Sequence, residues 1–191
     1  MRVFLILFSA LLVNNYVFIR FLGICPFLGV SKKMDTAVGM GFAATFVLVM
    51  SSVITWLVNK LLVVMGLSFL QIVVFILVIA TFVQFVEFFL KKNSPGLYEA
   101  LGIYLPLITT NCIILGVALL NAQANYSLLE AVFHALGAGL GFLLALVIFA
   151  GVRERLELYD LPKPFEGLPI ALILASIISM AFMGFQGLIK L

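Results

Sequence analysis

Charge is what this chain lacks most. It carries 11 lysines and arginines and 8 aspartates and glutamates in 191 residues, 10% charged, where a soluble domain has about a quarter. There is too little polar surface to face water, which excludes an ordinary globular domain. Cysteine occurs twice, and histidine and tryptophan once each. Two cysteines make no disulfide scaffold, and with one histidine beside them the chain cannot complete a four-ligand metal site alone. There is no glycine-rich phosphate loop on a strand–helix unit, so flavin or nicotinamide chemistry is not expected. The net charge of +3 does not indicate nucleic-acid binding, because the basic residues sit at segment ends and form no single patch.

What is present is apolar. Hydrophobic residues make up 65% of the chain, 19 of them phenylalanine, and the mean hydropathy is +1.31. A helix needs roughly 20 apolar residues to cross a hydrocarbon core of about 30 Å. Such stretches occur near 3–22, 36–58, 69–90, 101–121, 127–151 and 168–189. Lipid leaves no partner for an unpaired backbone, so they are read as helices. The expectation is an all-α membrane protein, one integral membrane domain over 1–191 with six transmembrane helices. Met1-Arg2 and the run Val3 to Val13 imitate a signal peptide. No small-residue cleavage site follows, so the run is read as a retained first span. Only the connector 152–167 is long, with charged residues around Pro162 and Pro164, and it reads as a solvated loop. The loops after spans one, three and five hold Arg20, Lys32, Lys33, Lys91, Lys92, Arg153, Arg155 and Lys163, against Arg2, Lys60 and Lys190 elsewhere. Basic residues stay cytoplasmic, so both termini should face outward.

An internal repeat contains both cysteines. Cys25-Pro26-Phe27-Leu28-Gly29-Val30 recurs as Cys112-Ile113-Ile114-Leu115-Gly116-Val117. Each copy belongs to the first span of a three-span half, about 1–92 and 98–191. Three is odd, so the halves would be inverted relative to each other. Gly23, Pro26 and Gly29 around Cys25, and Pro106, Thr109, Thr110, Asn111 and Gly116 around Cys112, weaken the helical hydrogen-bond ladder. The first and fourth helices are therefore expected to break, and breaks at membrane depth are tolerated where they line a site. Exposed backbone N–H groups there favour an anion such as a thiolate-ligated metal cluster. The alternative is that both cysteines are inert buried thiols.

Other polar residues have two readings each. Glu87, with Gln84 on the same face, is either part of an ion path or an end-of-helix charge paired with Lys91. His134 with Glu130 four residues earlier reads as a helix-start polar pair rather than a metal ligand. Gly137 and Gly141 make a small-residue face for close helix packing. Asn14, Asn15 and Asn111 are suited to bonding broken backbone near the cysteines.

The stretches VNNYVFIRFLGICPFLGVSKK (13–33), LPLITTNCIILGVALLN (105–121), GVRER (151–155) and AFMGF (181–185) resemble the A-subunit family of the Rnf electron-transport complexes. The E subunits of sodium-translocating NADH:quinone reductases are near relatives, and the Asn-Asn pair, Arg20 and Cys-Pro-Phe lean toward Rnf. The resemblance implies a membrane component of an ion-translocating ferredoxin:NAD⁺ oxidoreductase in the bacterial inner membrane. It also implies a [2Fe–2S] cluster held by Cys25 and Cys112 together with two cysteines of a homologous E subunit of opposite orientation. The remaining components (B, C, D and G) would carry the flavin and further iron–sulfur chemistry, coupled to Na⁺ or H⁺ movement. A reading of another class is an inverted-repeat secondary transporter with a midplane substrate site.

Overall fold

The structure is a computed structural model, and it describes residues 2–31, 33–93, 105–156, 159, 162 and 167–184. Among these, every regular element is helical. Three helices are long and apolar enough to cross a membrane, Met34–Val64, Ser68–Phe88 and Leu128–Leu156; Val3–Val13, Leu107–Gln123 and Leu168–Met183 are shorter apolar helices. They fall in the six stretches expected from the hydropathy. The start of the fourth stretch (101–104), the end of the sixth (185–189), Lys32 and most of the charged connector after Leu156 lie outside the described residues.

Two long helices form the spine: α4 (Met34–Val64) and α8 (Leu128–Leu156). They run antiparallel, since Gly41 meets Leu143, Thr45 meets Gly139, and the Ser52 hydroxyl donates to the Ala131 carbonyl at 3.2 Å. Glycine lets the two backbones approach, because in lipid close packing drives association. A Cβ on Gly139 would stand 2.7 Å from Thr45 Cγ2. At one end Trp56 Nε1 donates to the Tyr126 carbonyl at 2.9 Å, an interfacial anchor of the kind tryptophan favours. At 31 residues α4 is about 46 Å long, which exceeds the hydrocarbon core and is accommodated by tilt or protrusion.

The outer helices are one-sided. α5 (Gln71–Asn93) buries Phe75, Ile79 and Val83, spaced four apart, and exposes Val73, Leu77, Phe85 and Phe88. An apolar exposed face on one helix stripe is a lipid-facing surface. α9 (Leu168–Met183) packs against the start of the chain: Phe182 lies 4.6 Å from Phe18 between ring centroids, and the Ser179 hydroxyl donates to the Phe18 carbonyl.

The first span is in pieces. α1 (Arg2–Phe8) widens into a π-helical turn (Ser9–Val13), the chain breaks at Asn14-Asn15, α2 (Tyr16–Arg20) makes little more than one turn, and α3 (Ile24–Val30) follows a second break. Their height can be read against α8. Leu7 packs at Gly137 and Ala10 and Leu11 at Gly141, yet Gly23 packs only at Phe142. From Leu11 to Gly23 the chain therefore advances hardly at all along α8, because α2 swings sideways toward α9. After Gly23 it advances again: the Phe27 and Phe149 rings stack at 4.1 Å, and Arg153 Nη1 donates to the Leu28 carbonyl at 3.0 Å. The helical path continues past the expected 3–22 stretch to Val30, because its two breaks consume residues without advancing along α8.

The fourth stretch breaks once, between α6 (Leu105–Thr109) and α7 (Cys112–Gln123). The expected loop from 152 is also corrected. α8 continues to Leu156, and its last turn is occupied: Arg153 Nη1 donates to Leu28 O and Ser31 Oγ, each at 3.0 Å, while Glu154 Oε1 accepts the Met34 N–H at 2.8 Å. One residue satisfies a carbonyl and a hydroxyl at the end of α3, and the next caps the start of α4.

Candidate metal centre at two helix breaks

The first break of the first span and the break of the fourth stretch each have an asparagine at the turning point. Asn15 (φ −61°, ψ 114°) accepts the Val17 N–H at 3.0 Å, and Asn111 (φ −72°, ψ 114°) accepts the Ile113 N–H at 3.3 Å. Both are N-caps that satisfy a donor freed by the break. This equivalence pairs Asn15 with Asn111, a different register from the sequence repeat that pairs Cys25 with Cys112. The first half inserts α2 and a second break between its asparagine and its cysteine, whereas in the second half Cys112 follows Asn111 directly. Asn15 is further tied to the spine, donating from Nδ2 to the Gly141 carbonyl at 2.9 Å.

The second break of the first span is built on Gly23, whose φ of +82° suits glycine. A Cβ there would stand 3.0 Å from the Phe142 ring and 3.4 Å from Asn111 Oδ1. The Gly23 N–H donates to Cys112 Sγ at 3.0 Å. Residues 89 positions apart thus meet, and the backbone two residues before Cys25 contacts the sulfur of Cys112. Phe142 lies midway along α8, so the meeting point is at the middle of the span. From there α3 runs toward Arg153 and α7 toward His134, in opposite senses, with a cysteine in the first turn of each.

Neither cysteine is a buried thiol: both are exposed on this chain, against the inert-core alternative. Asn111 beside them is 4% exposed, and its Nδ2 has no hydrogen-bond partner among the described residues. A buried amide donor left unpaired costs about 1–3 kcal/mol, so the break carries an open donor on the residue next to Cys112.

His134 lies elsewhere. Asn121 Nδ2 donates to Ser52 Oγ at 2.8 Å, which leaves Asn121 Oδ1 to accept from His134 Nδ1–H at 2.6 Å; His134 Nε2 then accepts from the Tyr16 hydroxyl, also at 2.6 Å. With both ring nitrogens engaged, His134 joins α2, α7, α8 and α4. The expected pairing with Glu130 is corrected. Glu130 instead accepts from both the N–H and the hydroxyl of Ser127 at 3.0 Å, a capping box for α8. Beside His134 is a cavity of about 180 Å³ lined by Ser9, Asn14, Tyr16, Arg20 and Tyr126 among others. The Tyr16–His134 connection could not be found from periodicity, because the two residues are 118 positions apart and α2 breaks the pattern.

Glu87, half-buried on α5, accepts a hydrogen bond from Gln84 Nε2 at 3.0 Å and takes no part in the Gly23–Cys112 contact. The side chain of Lys91, its other expected partner, lies outside the described residues. Gly137 and Gly141 do the packing expected of them, but against α1 and its π turn: a Cβ on Gly137 would stand 2.7 Å from the Leu7 carbonyl oxygen.

Comparison with known proteins bears on this geometry. The family described as Rnf-Nqr subunit, membrane protein, matches residues 3–189. The A subunit of a Na(+)-translocating ferredoxin:NAD(+) oxidoreductase complex from Acetobacterium woodii is 56% identical over 189 residues, covering 98% of each chain. The A subunits of ion-translocating oxidoreductase complexes from Thioalkalivibrio sulfidiphilus and Yersinia enterocolitica are 57% identical (97% of each chain) and 53% identical (100% of each chain). With a family match that runs through both helix breaks and relatives similar from end to end, this chain belongs to the Rnf-Nqr family of membrane proteins.

Proposed function

We propose that this chain is the A-type membrane component of an ion-translocating ferredoxin:NAD⁺ oxidoreductase complex. In this reading Cys25 and Cys112 hold one half of a [2Fe–2S] cluster, and a homologous E-type component supplies the other two cysteines. The carrying observation is the Gly23 N–H on Cys112 Sγ at 3.0 Å, which joins the two breaks at mid-depth. The donor set suits the group. Two exposed thiols are too few to close an iron–sulfur site and are open to a partner, and a backbone donor on sulfur is a known way of tuning such centres. Asn111, next to Cys112, is buried with its Nδ2 unpartnered among the described residues. The arrangement of α3 and α7 supports two inverted three-helix halves within six spans.

The cluster would supply one-electron transfer when bound. The chain's own residues do the rest. Cys25 and Cys112 ligate, Asn15 and Asn111 cap the segments after their breaks, and Gly23 brings its N–H to sulfur through a conformation that leaves no room for a side chain. Phe27, Phe142 and Phe149, each fully buried, keep the inner side of the breaks dry. A charge gained at the midplane senses about half of the membrane potential, about 1.2 kcal/mol per 100 mV. That gives reduction a direct energetic link to Na⁺ or H⁺ movement. The complex sits in the inner membrane with the Arg153 end of α8 cytoplasmic and both termini outward; the B, C, D and G components carry the flavin and ferredoxin chemistry.

The test is iron, acid-labile sulfide and EPR on the co-purified membrane complex. The signal should be present in the native complex, lost with Cys25→Ala or Cys112→Ala, and absent from this chain purified without its partner. An iron-free complex whose isolated A-type chain binds a solute would instead establish a secondary transporter.

A further inference from the structure

We propose that Asn111 is a positioning residue for the electron carrier, its free side-chain N–H donating a hydrogen bond to a sulfur of the cluster and favouring the reduced form. The inference rests on the cluster reading above and goes beyond it, to a residue that is not a ligand.

The amide's orientation is set by its neighbours. Asn111 Oδ1 accepts the Ile113 N–H as the cap of α7. Turning the amide over would set two donors against each other and strip the cap, so Nδ2 is the atom left over. Among the described residues it has no partner, although Asn111 is only 4% exposed. The amide stands at the meeting point of the two halves: Asn111 Oδ1 is 3.4 Å from where a Cβ on Gly23 would stand, and the Gly23 N–H is the donor to Cys112 Sγ. Asn111 is moreover the residue next to Cys112. Buried donors are almost always paired, and a cluster bound at the adjacent Cys112 would bring an acceptor sulfur to it. Two donors from two different breaks, one backbone and one side chain, would then converge on one centre. Reduction adds one negative charge to the sulfurs without making or breaking a bond, so N–H donors stabilise the reduced form and hold the potential up. Asn15, the cap at the other half's first break, spends its Nδ2 on Gly141. The two asparagines share a capping role, and only Asn111 has a donor to spare.

The test is EPR-monitored redox titration of the intact complex. Asn111→Ser keeps an acceptor for the cap and loses the long donor; iron content should stay near native and the midpoint potential should fall. Asn111→Asp keeps the cap and replaces the donor with a negative acceptor, so the potential should fall further. Potentials equal to native in both variants would overturn the proposal. If the variants do not retain iron, the native complex decides. With asparagine labelled with ¹⁵N at the side-chain amide, pulsed EPR should resolve a weak nitrogen coupling to the reduced centre, and no coupling overturns the proposal. An iron-free native complex is a different result and refutes the function proposed above.

Discussion

At the scale of single residues, several polar side chains of this chain are spent on its own helix breaks and ends. Asn15 caps one short helix while bridging to Gly141, and Arg153 and Glu154 satisfy the ends of two different helices. Gly23 is the tightest of these positions. Gly23→Ala puts a Cβ into a left-handed conformation, costing about 1–2 kcal/mol, and sets it 3.0 Å from Phe142. The expected outcome is a complex that assembles with reduced iron content, read by metal analysis against the native preparation. His134→Ala leaves Asn121 Oδ1 without its donor, at a cost of about 1–3 kcal/mol. It should lower the thermal unfolding midpoint in detergent while leaving the iron signal in place, because the histidine network and the cysteine centre share no contact among the described residues. Loss of iron with unchanged stability would make His134 a partner of the metal site.

At the scale of elements, glycine decides where helices can touch. The Gly137 and Gly141 face admits α1 and its π turn, and Gly41 and Gly139 admit the α4–α8 pairing. Gly137→Val would force a branched side chain onto the Leu7 carbonyl and should push α1 off α8, seen as protease sensitivity at the start of the chain and a lower unfolding midpoint. Gly39→Ala is the matched control. It lies mid-helix in α4 with nothing within 4 Å of the new Cβ, so helix propensity alone acts and stability should rise by up to about 1 kcal/mol. Similar losses for both variants would remove packing as the cause. The hydropathy profile located the helices, and an average over an apolar window erases their breaks; it was the residue types themselves, Gly23 before Cys25 and Asn111 before Cys112 among them, that led to breaks being expected where the structure has them. The sideways path of α2 was illegible, since it is set by the Phe18 contacts with α9 and by Asn15 reaching α8.

At the scale of the whole molecule, the exposed surface carries many large apolar side chains, and both cysteines are exposed on it. In the cluster reading proposed above, this chain contributes two of the four ligands and a partner must supply the rest. Reporter fusions test the orientation: alkaline phosphatase should be active at both ends of the chain, and a fusion after Leu156 should be inactive. Activity at the Leu156 junction would reverse the topology. The geometry of the centre would be untouched, but the ferredoxin-facing side would have to be reassigned.

Residue order was enough to establish a membrane protein of apolar helices, the stretches in which they fall, and the shortage of ligands that two cysteines leave at any four-ligand metal site. These follow from local quantities, namely apolar length, charge placement and ligand arithmetic, which need no knowledge of the fold. Folding in three dimensions was needed to bring Gly23 to Cys112, to leave Asn111 an unpaired donor beside it, and to commit His134 to the packing of four helices. Those facts depend on contacts between residues up to 118 positions apart, and such contacts exist only once the helices have packed.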